Sequence, residues 1–154
     1  MSNSVILFLM TIAGGVVTIT FWCGTLAVIA YTGGWQSLAE HYRNDRNISP
    51  KTTFSMQSAR LCRFTGYNNI LRFGVADEGL TIQIPFPFKT AHPPLIIPWE
   101  DILAFEAKMF LVGRCVKLTF VKAPNIPVYI DTRLNKKLTD AAGGLWPRVV
   151  KTTE

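Results

Sequence analysis

VILFLMTIAGGVVTITFWCGTLAVIAY, residues 5 to 31, runs for 27 residues without one formal charge. As a helix it would reach roughly 40 Å at about 1.5 Å per residue, more than a hydrocarbon core of about 30 Å, so it can span a bilayer with tilt or with interfacial ends. Its thirteen Leu, Ile, Val and Phe side chains together favour insertion by very roughly 5 kcal/mol before the Gly and Thr penalties. A cleaved signal peptide would need a basic flank that residues 1 to 4 lack, although Val28-Ile29-Ala30 offers a place to cut. A buried core helix fits the length less well. The reading is therefore a retained transmembrane anchor over residues 1–34.

Outward from that stretch the composition changes abruptly. No Lys, Arg, Asp or Glu precedes Glu40, so all sixteen basic and ten acidic side chains, and the net +6, belong to the segment after the anchor. A moderately basic domain favours anionic neighbours without identifying one. Arg43, Arg46 and Lys51 follow within about 20 residues of the helix end, the range over which positive charge holds a segment in the cytoplasm. The expected topology places the N-terminus outside the inner (plasma) membrane and the C-terminal domain in the cytoplasm. Cys23 falls in the span, and Cys62 and Cys115 have no staple or metal spacing, consistent with reduced thiols. No cofactor and no metal are expected.

Within the span, Thr11, Gly14, Gly15, Thr18, Trp22 and Thr25 recur at steps of three and four along one stripe, where another helix can approach closely. Gly and Thr are also simply common in spanning helices. Thr32-Gly33-Gly34 then breaks the helix, and Trp35, Leu38, Ala39 and Tyr42 have amphipathic helical spacing. Two readings of that short helix are equally open: it lies on the membrane surface, or its apolar face packs on the domain. With the polar, Pro50-bearing stretch 44–53 it makes an interfacial helix and linker over residues 35–53.

From Phe54 to 150 short apolar runs alternate with turn residues, the mark of a compact β unit. Strands are expected near 54–64, 70–76, 80–85, 94–98, 102–110, 114–121 and 126–131. Asp77-Glu78-Gly79 reads as a hairpin turn with Gly79 at positive φ, and Val112-Gly113 as a second reversal. Asp131-Thr132 can cap a closing helix with Leu134, Leu138, Ala141, Ala142 and Leu145 on one stripe, ending near Gly143-Gly144 or Pro147.

Seven antiparallel strands and one C-terminal helix, with Gly34-Trp35-Gln36-Ser37-Leu38-Ala39-Glu40-His41-Tyr42, Glu78-Gly79-Leu80 and HPPLIIPWEDI at 92–102, resemble the pleckstrin-homology-like domains of bacterial single-span membrane proteins. The resemblance implies a bent, partly open barrel and non-catalytic binding of lipid headgroups or proteins. Eukaryotic members that bind inositides carry a dense Lys/Arg cluster between the first two strands, whereas Thr65-Gly66-Tyr67-Asn68-Asn69 is read in that loop here.

No HExxH, CxxC, GxSxG or phosphate-cradling glycine loop occurs. Glu100-Asp101 reads as a hydrated turn or helix start, and Trp99 as core. Arg60, Arg63, Arg72 and Lys117 are dispersed along strands, which does not make a nucleic-acid face. Enzymatic activity is therefore not expected. The most informative stretch is Pro85 to Pro94, whose prolines exclude it from a sheet interior. Phe86, Phe88, Lys89 and His92 are candidate contacts for a lipid interface or a protein, against the alternative that both rings tuck under the loop. Two functions remain. One is a membrane-anchored adaptor or accessory subunit that binds a protein partner; the other is an anionic-lipid-surface module using Arg43, Arg46, Lys51 and the Phe86–Lys89 loop.

Overall fold

The computed structural model describes residues 3–62, 65–109 and 113–151. An N-terminal helix α1 (Asn3–Thr32) is followed by a short helix α2 (Trp35–Tyr42) and seven strands. These are β1 (Thr52–Leu61), β2 (Thr65–Val75), β3 (Gly79–Gln83), β4 (Leu95–Pro98), β5 (Ile102–Met109), β6 (Gly113–Phe120) and β7 (Ala123–Asp131), followed by helix α3 (Thr132–Ala142) and a short 3-10 turn (Gly143–Leu145). The strands form one antiparallel sheet in the order β4-β3-β2-β1-β7-β6-β5, and no ladder joins β4 to β5 among the described residues. The architecture is the expected one: a long apolar helix, a seven-stranded sheet that bends without closing, and a C-terminal helix.

Among the described residues one helix, α1, is long and apolar enough to cross a membrane. It has two parts. Every side chain from Asn3 to Trp22 is exposed, whereas Leu26 and Ala30 are buried and Cys23, Ala27 and Ile29 are partly so. The spacing 23, 26, 27, 30 is one helical face, so only the last third of α1 lies on the domain. Gly33 and Gly34 make the elbow into α2. Gly34 sits at φ +81, and a Cβ there would stand 2.7 Å from Ile126 Cδ1, so both backbone conformation and space require glycine.

The apolar face of α2 turns into the domain, which decides between the two readings of that helix. Trp35, Leu38, Ala39 and Tyr42 are all buried in the same core as Leu61, Leu71, Phe73, Leu118 and Phe120. α2 thus covers one end of the bent sheet, while Leu134, Leu138 and Ala142 of α3 enter the core from elsewhere. The following stretch is pinned rather than loose: Asn44 is buried and exchanges hydrogen bonds with Ile48, Asn44 N–H donates to Pro94 O, and Lys51 N–H donates to Val75 O.

Several expected boundaries move for identifiable reasons. β2 begins at Thr65, so Thr65–Asn69 belongs to a strand with Tyr67 buried, and the link between β1 and β2 is shorter than expected. β7 begins at Ala123 despite Pro124 and Pro127, because the β6–β7 register slips between Leu118 and Phe120 and the β1–β7 ladder covers only Val128–Ile130. Gly79 does not have positive φ. Its role is close approach: a Cβ would lie 2.1 Å from Ile97 O in β4. Asp131 does cap α3, its side chain accepting from Leu134 N–H at 2.6 Å. Leu145 is exposed beyond the helix, and Trp146 is the buried residue instead. Arg63, residue 64, residue 110 and the Val112 half of the second reversal lie outside the described residues; Gly113, within them, has φ +77 and pairs with Met109.

Candidate functional site

The Pro85–Pro94 connector is a shaped loop. Phe88 N–H donates to Pro85 O and His92 N–H to Lys89 O, two consecutive turns, and the Phe86–Pro87 peptide is cis. Three side chains fasten it to α2 and β2. Trp35 Nε1 donates to Pro93 O at 3.0 Å, Gln36 Nε2 to Ala91 O at 2.5 Å, and Tyr67 Oη meets His92 Nε2 at 3.0 Å. His92 Nδ1 lies 2.7 Å from Thr90 O, which can only accept, so Nδ1 carries the proton and Nε2 accepts from Tyr67. Burial pushes the imidazole below its usual range, opposed by the Thr90 bond, and pushes the Tyr67 phenol up. His92 is 3% exposed, with Trp35 edge-on at 5.1 Å, so it holds the loop's shape and does not meet a ligand directly.

The two phenylalanines separate. Phe88 is partly buried, its ring 5.6 Å from that of Trp22 on α1. Phe86 is 82% exposed at the tip. Lys89 is exposed beside them. The loop, the elbow and the last third of α1 therefore form one contiguous surface, which the sequence spread over seventy residues.

Arg43, Arg46 and Lys51 are not part of it. They pair with Asp45 at 2.9 Å, Glu78 at 2.9 Å and Lys51 with Asp77 at 2.6 Å, all solvent-exposed. Such pairs contribute little to stability, but they leave no local excess of positive charge. In the small-residue stripe, the Thr11, Thr18 and Thr25 hydroxyls donate to the carbonyls of Leu7, Gly14 and Phe21. The hydroxyls are thereby satisfied within the helix, and nothing in the domain approaches Gly14 or Gly15 within 4 Å. At about 100° per residue this stripe sits roughly a quarter turn from the Leu26–Ala30 docking face, with Trp22 on its margin.

A feature missed by sequence reasoning is an open groove of about 1060 Å³ between β5, β6, the start of α3 and the C-terminal segment. Lys108, Arg114, Lys117 and Lys151 line it with one acidic side chain, Glu106, and with Thr132 and Asn135. Lys108 and Arg114 are paired across the β5–β6 hairpin, Lys117 stands further along β6 opposite Phe105, and the bridge made by Val150 brings in Lys151 from the far end of the chain. Val150 adds a short parallel bridge to β5: its N–H donates to Ala104 O, and Glu106 N–H donates to its carbonyl, both at 2.9 Å. Backbone alternation then turns Lys108 N–H and C=O outward on the same edge. Cys115 at the groove floor is buried, its thiol pushed up by desolvation and thus poorly nucleophilic. The elbow packs on Ile126, and α3 begins six residues later at the other end of β7, so the groove lies about 20 Å from the elbow along that strand.

Glu100-Asp101 lies in a 3-10 turn, Trp99–Asp101. Asp101 is buried, with Lys122 Nζ 3.4 Å from Oδ2 in an ion-pair contact that is not a hydrogen bond. Lys122 N–H donates to Tyr42 Oη at 2.9 Å, and burial raises the Tyr42 phenol, helped by the Asp101 carboxylate and opposed by that N–H. This cluster ties α2 to the sheet. Trp99 is partly buried against Trp146, its indole donating to Ala76 and Asp77 carbonyls. No cluster of three or more His, Cys, Asp or Glu side chains able to hold a metal occurs among the described residues.

No protein-family model matches the chain, and no curated protein matches it.

Proposed function

We propose that the chain is a non-catalytic, membrane-anchored adaptor or accessory subunit, whose PH-like domain binds an acidic segment of a protein partner in or at the membrane. α1 crosses the inner (plasma) membrane with its N-terminus outside, and the domain is cytoplasmic, as Arg43, Arg46 and Lys51 just beyond the span favour. The observation that carries the reading is the groove: four cations against one carboxylate, beside the β5 position Lys108, whose N–H and C=O turn outward past the Val150 bridge. Strand addition supplies main-chain hydrogen bonds, and flanking Lys and Arg supply orientation for acidic side chains. The anionic-lipid alternative is less well supported, because its three linker cations already face carboxylates.

The test is affinity purification of the intact protein from its own membrane in mild detergent, beside the exposed-surface variant K108E/R114E. The expected result is a stoichiometric partner that wild type retains and the variant loses. Bait alone in both preparations sinks the proposal, as does equal retention by the variant. A fluorescent protein fused after residue 154 should fold and fluoresce; a dark, periplasmic fusion would reverse the orientation.

A further inference from the structure

We infer that the Pro85–Ala91 loop is a second membrane contact, seated in the interfacial zone of the bilayer that α1 crosses, with Phe86 among the upper acyl chains and Lys89 toward the phosphates. The inference rests on the spanning role proposed for α1 but not on the partner groove. α1 itself supplies the depth scale. Asn3–Phe21 is nineteen residues with every side chain exposed, about 28 Å of helix, close to the thickness of a hydrocarbon core of about 30 Å. Contact with the domain starts at the next turn: Trp22 meets Phe88, Cys23 is partly covered and Leu26 is buried. The lower boundary of the core thus falls at Trp22, a residue type that prefers that level.

Phe88 touches Trp22, so the loop is at the same level, and Phe86 is two residues further toward its tip. An 82% exposed phenylalanine flanked by exposed Pro85 and Pro87 is an apolar knob turned away from the described residues. The knob is held ready, because Trp35, Gln36, Tyr67 and His92 fix the loop's stem. Little further ordering is required on insertion. Two points of attachment, span and loop, would fix the tilt of the domain on the membrane and keep the basic groove turned away from it.

The test uses full-length protein in vesicles of phosphatidylcholine and phosphatidylglycerol, with p-benzoylphenylalanine placed in turn at Phe86, Val17 and Leu145. All three side chains are exposed, so the substitutions leave the core intact. After irradiation, intact mass is expected to show a lipid adduct at positions 86 and 17 and its loss at 145. An adduct at 17 without one at 86, or a protein cross-link at 86 in its place, overturns the loop contact while leaving the span. Adducts at neither position overturn both. Labelling at all three positions, meaning indiscriminate reaction with lipid, also overturns it.

Discussion

Trp35→Ala separates a plug in the protein core from a helix floating on lipid. Trp35 is fully buried, its ring packs on Tyr67 and His92, and its indole donates to Pro93 O. Truncating a buried Trp costs about 3–5 kcal/mol, the cavity included. The carbonyl of Pro93 also loses its donor, an effect within that range. Against a total stability of about 5–15 kcal/mol this is about a fifth or more of what holds a small domain together. The unfolding midpoint should fall by roughly 12–20 °C, taking about 4 °C per kcal/mol for a domain of this size. The assay is near-UV circular dichroism of the full-length protein in detergent during heating, with Phe86→Ala beside it as an exposed control expected to stay within about 2 °C of wild type. A Trp35→Ala midpoint that also stays within that margin would refute the packing of α2 against the sheet. Trp35→Phe should fall between the two, because it keeps most of the apolar contact and loses the indole bond.

Gly79→Ala should cost about 1–3 kcal/mol or more, because its methyl group meets the Ile97 carbonyl at 2.1 Å and backbone must move; amide hydrogen exchange should accelerate first in β3 and β4, and unchanged protection there would contradict the register. Asp131→Ala removes the cap of α3 and should lower stability by about 1 kcal/mol, with Asp131→Asn retaining most of it; thermal melts read both. Acidification should destabilise the fold through His92. Its folded-state affinity for protons is lowered by burial, so the unfolded chain takes up the proton first, and stability falls as pH drops below about 6.5. Melts between pH 7.5 and 5.5 should show this slope in wild type and a smaller one in His92→Gln; equal slopes would remove the buried neutral imidazole from the account.

Features that depend on near neighbours along the chain were legible before any folding was known. A charge-free run of 27 residues makes a helix long and apolar enough to cross a membrane, because its length and hydropathy are properties of consecutive residues. Alternation in Val116–Val121 and the Asp131 cap are local in the same sense, so β6, α3 and the count of strands were legible. Gly33-Gly34 marked the elbow for the same reason. Where the amphipathic faces went depended on distant parts of the chain. An apolar face at 35, 38, 39 and 42 can satisfy itself against lipid or against a sheet, and nothing within α2 distinguishes the two; only Leu71, Phe73 and Phe120 arriving from the sheet do. Likewise Trp22 and Phe88 are 66 residues apart, and Lys151 reaches the groove only because Val150 bridges to β5. The surfaces that a partner or a bilayer would read are thus products of long-range pairing, since burial of one residue depends on which distant residue closes over it.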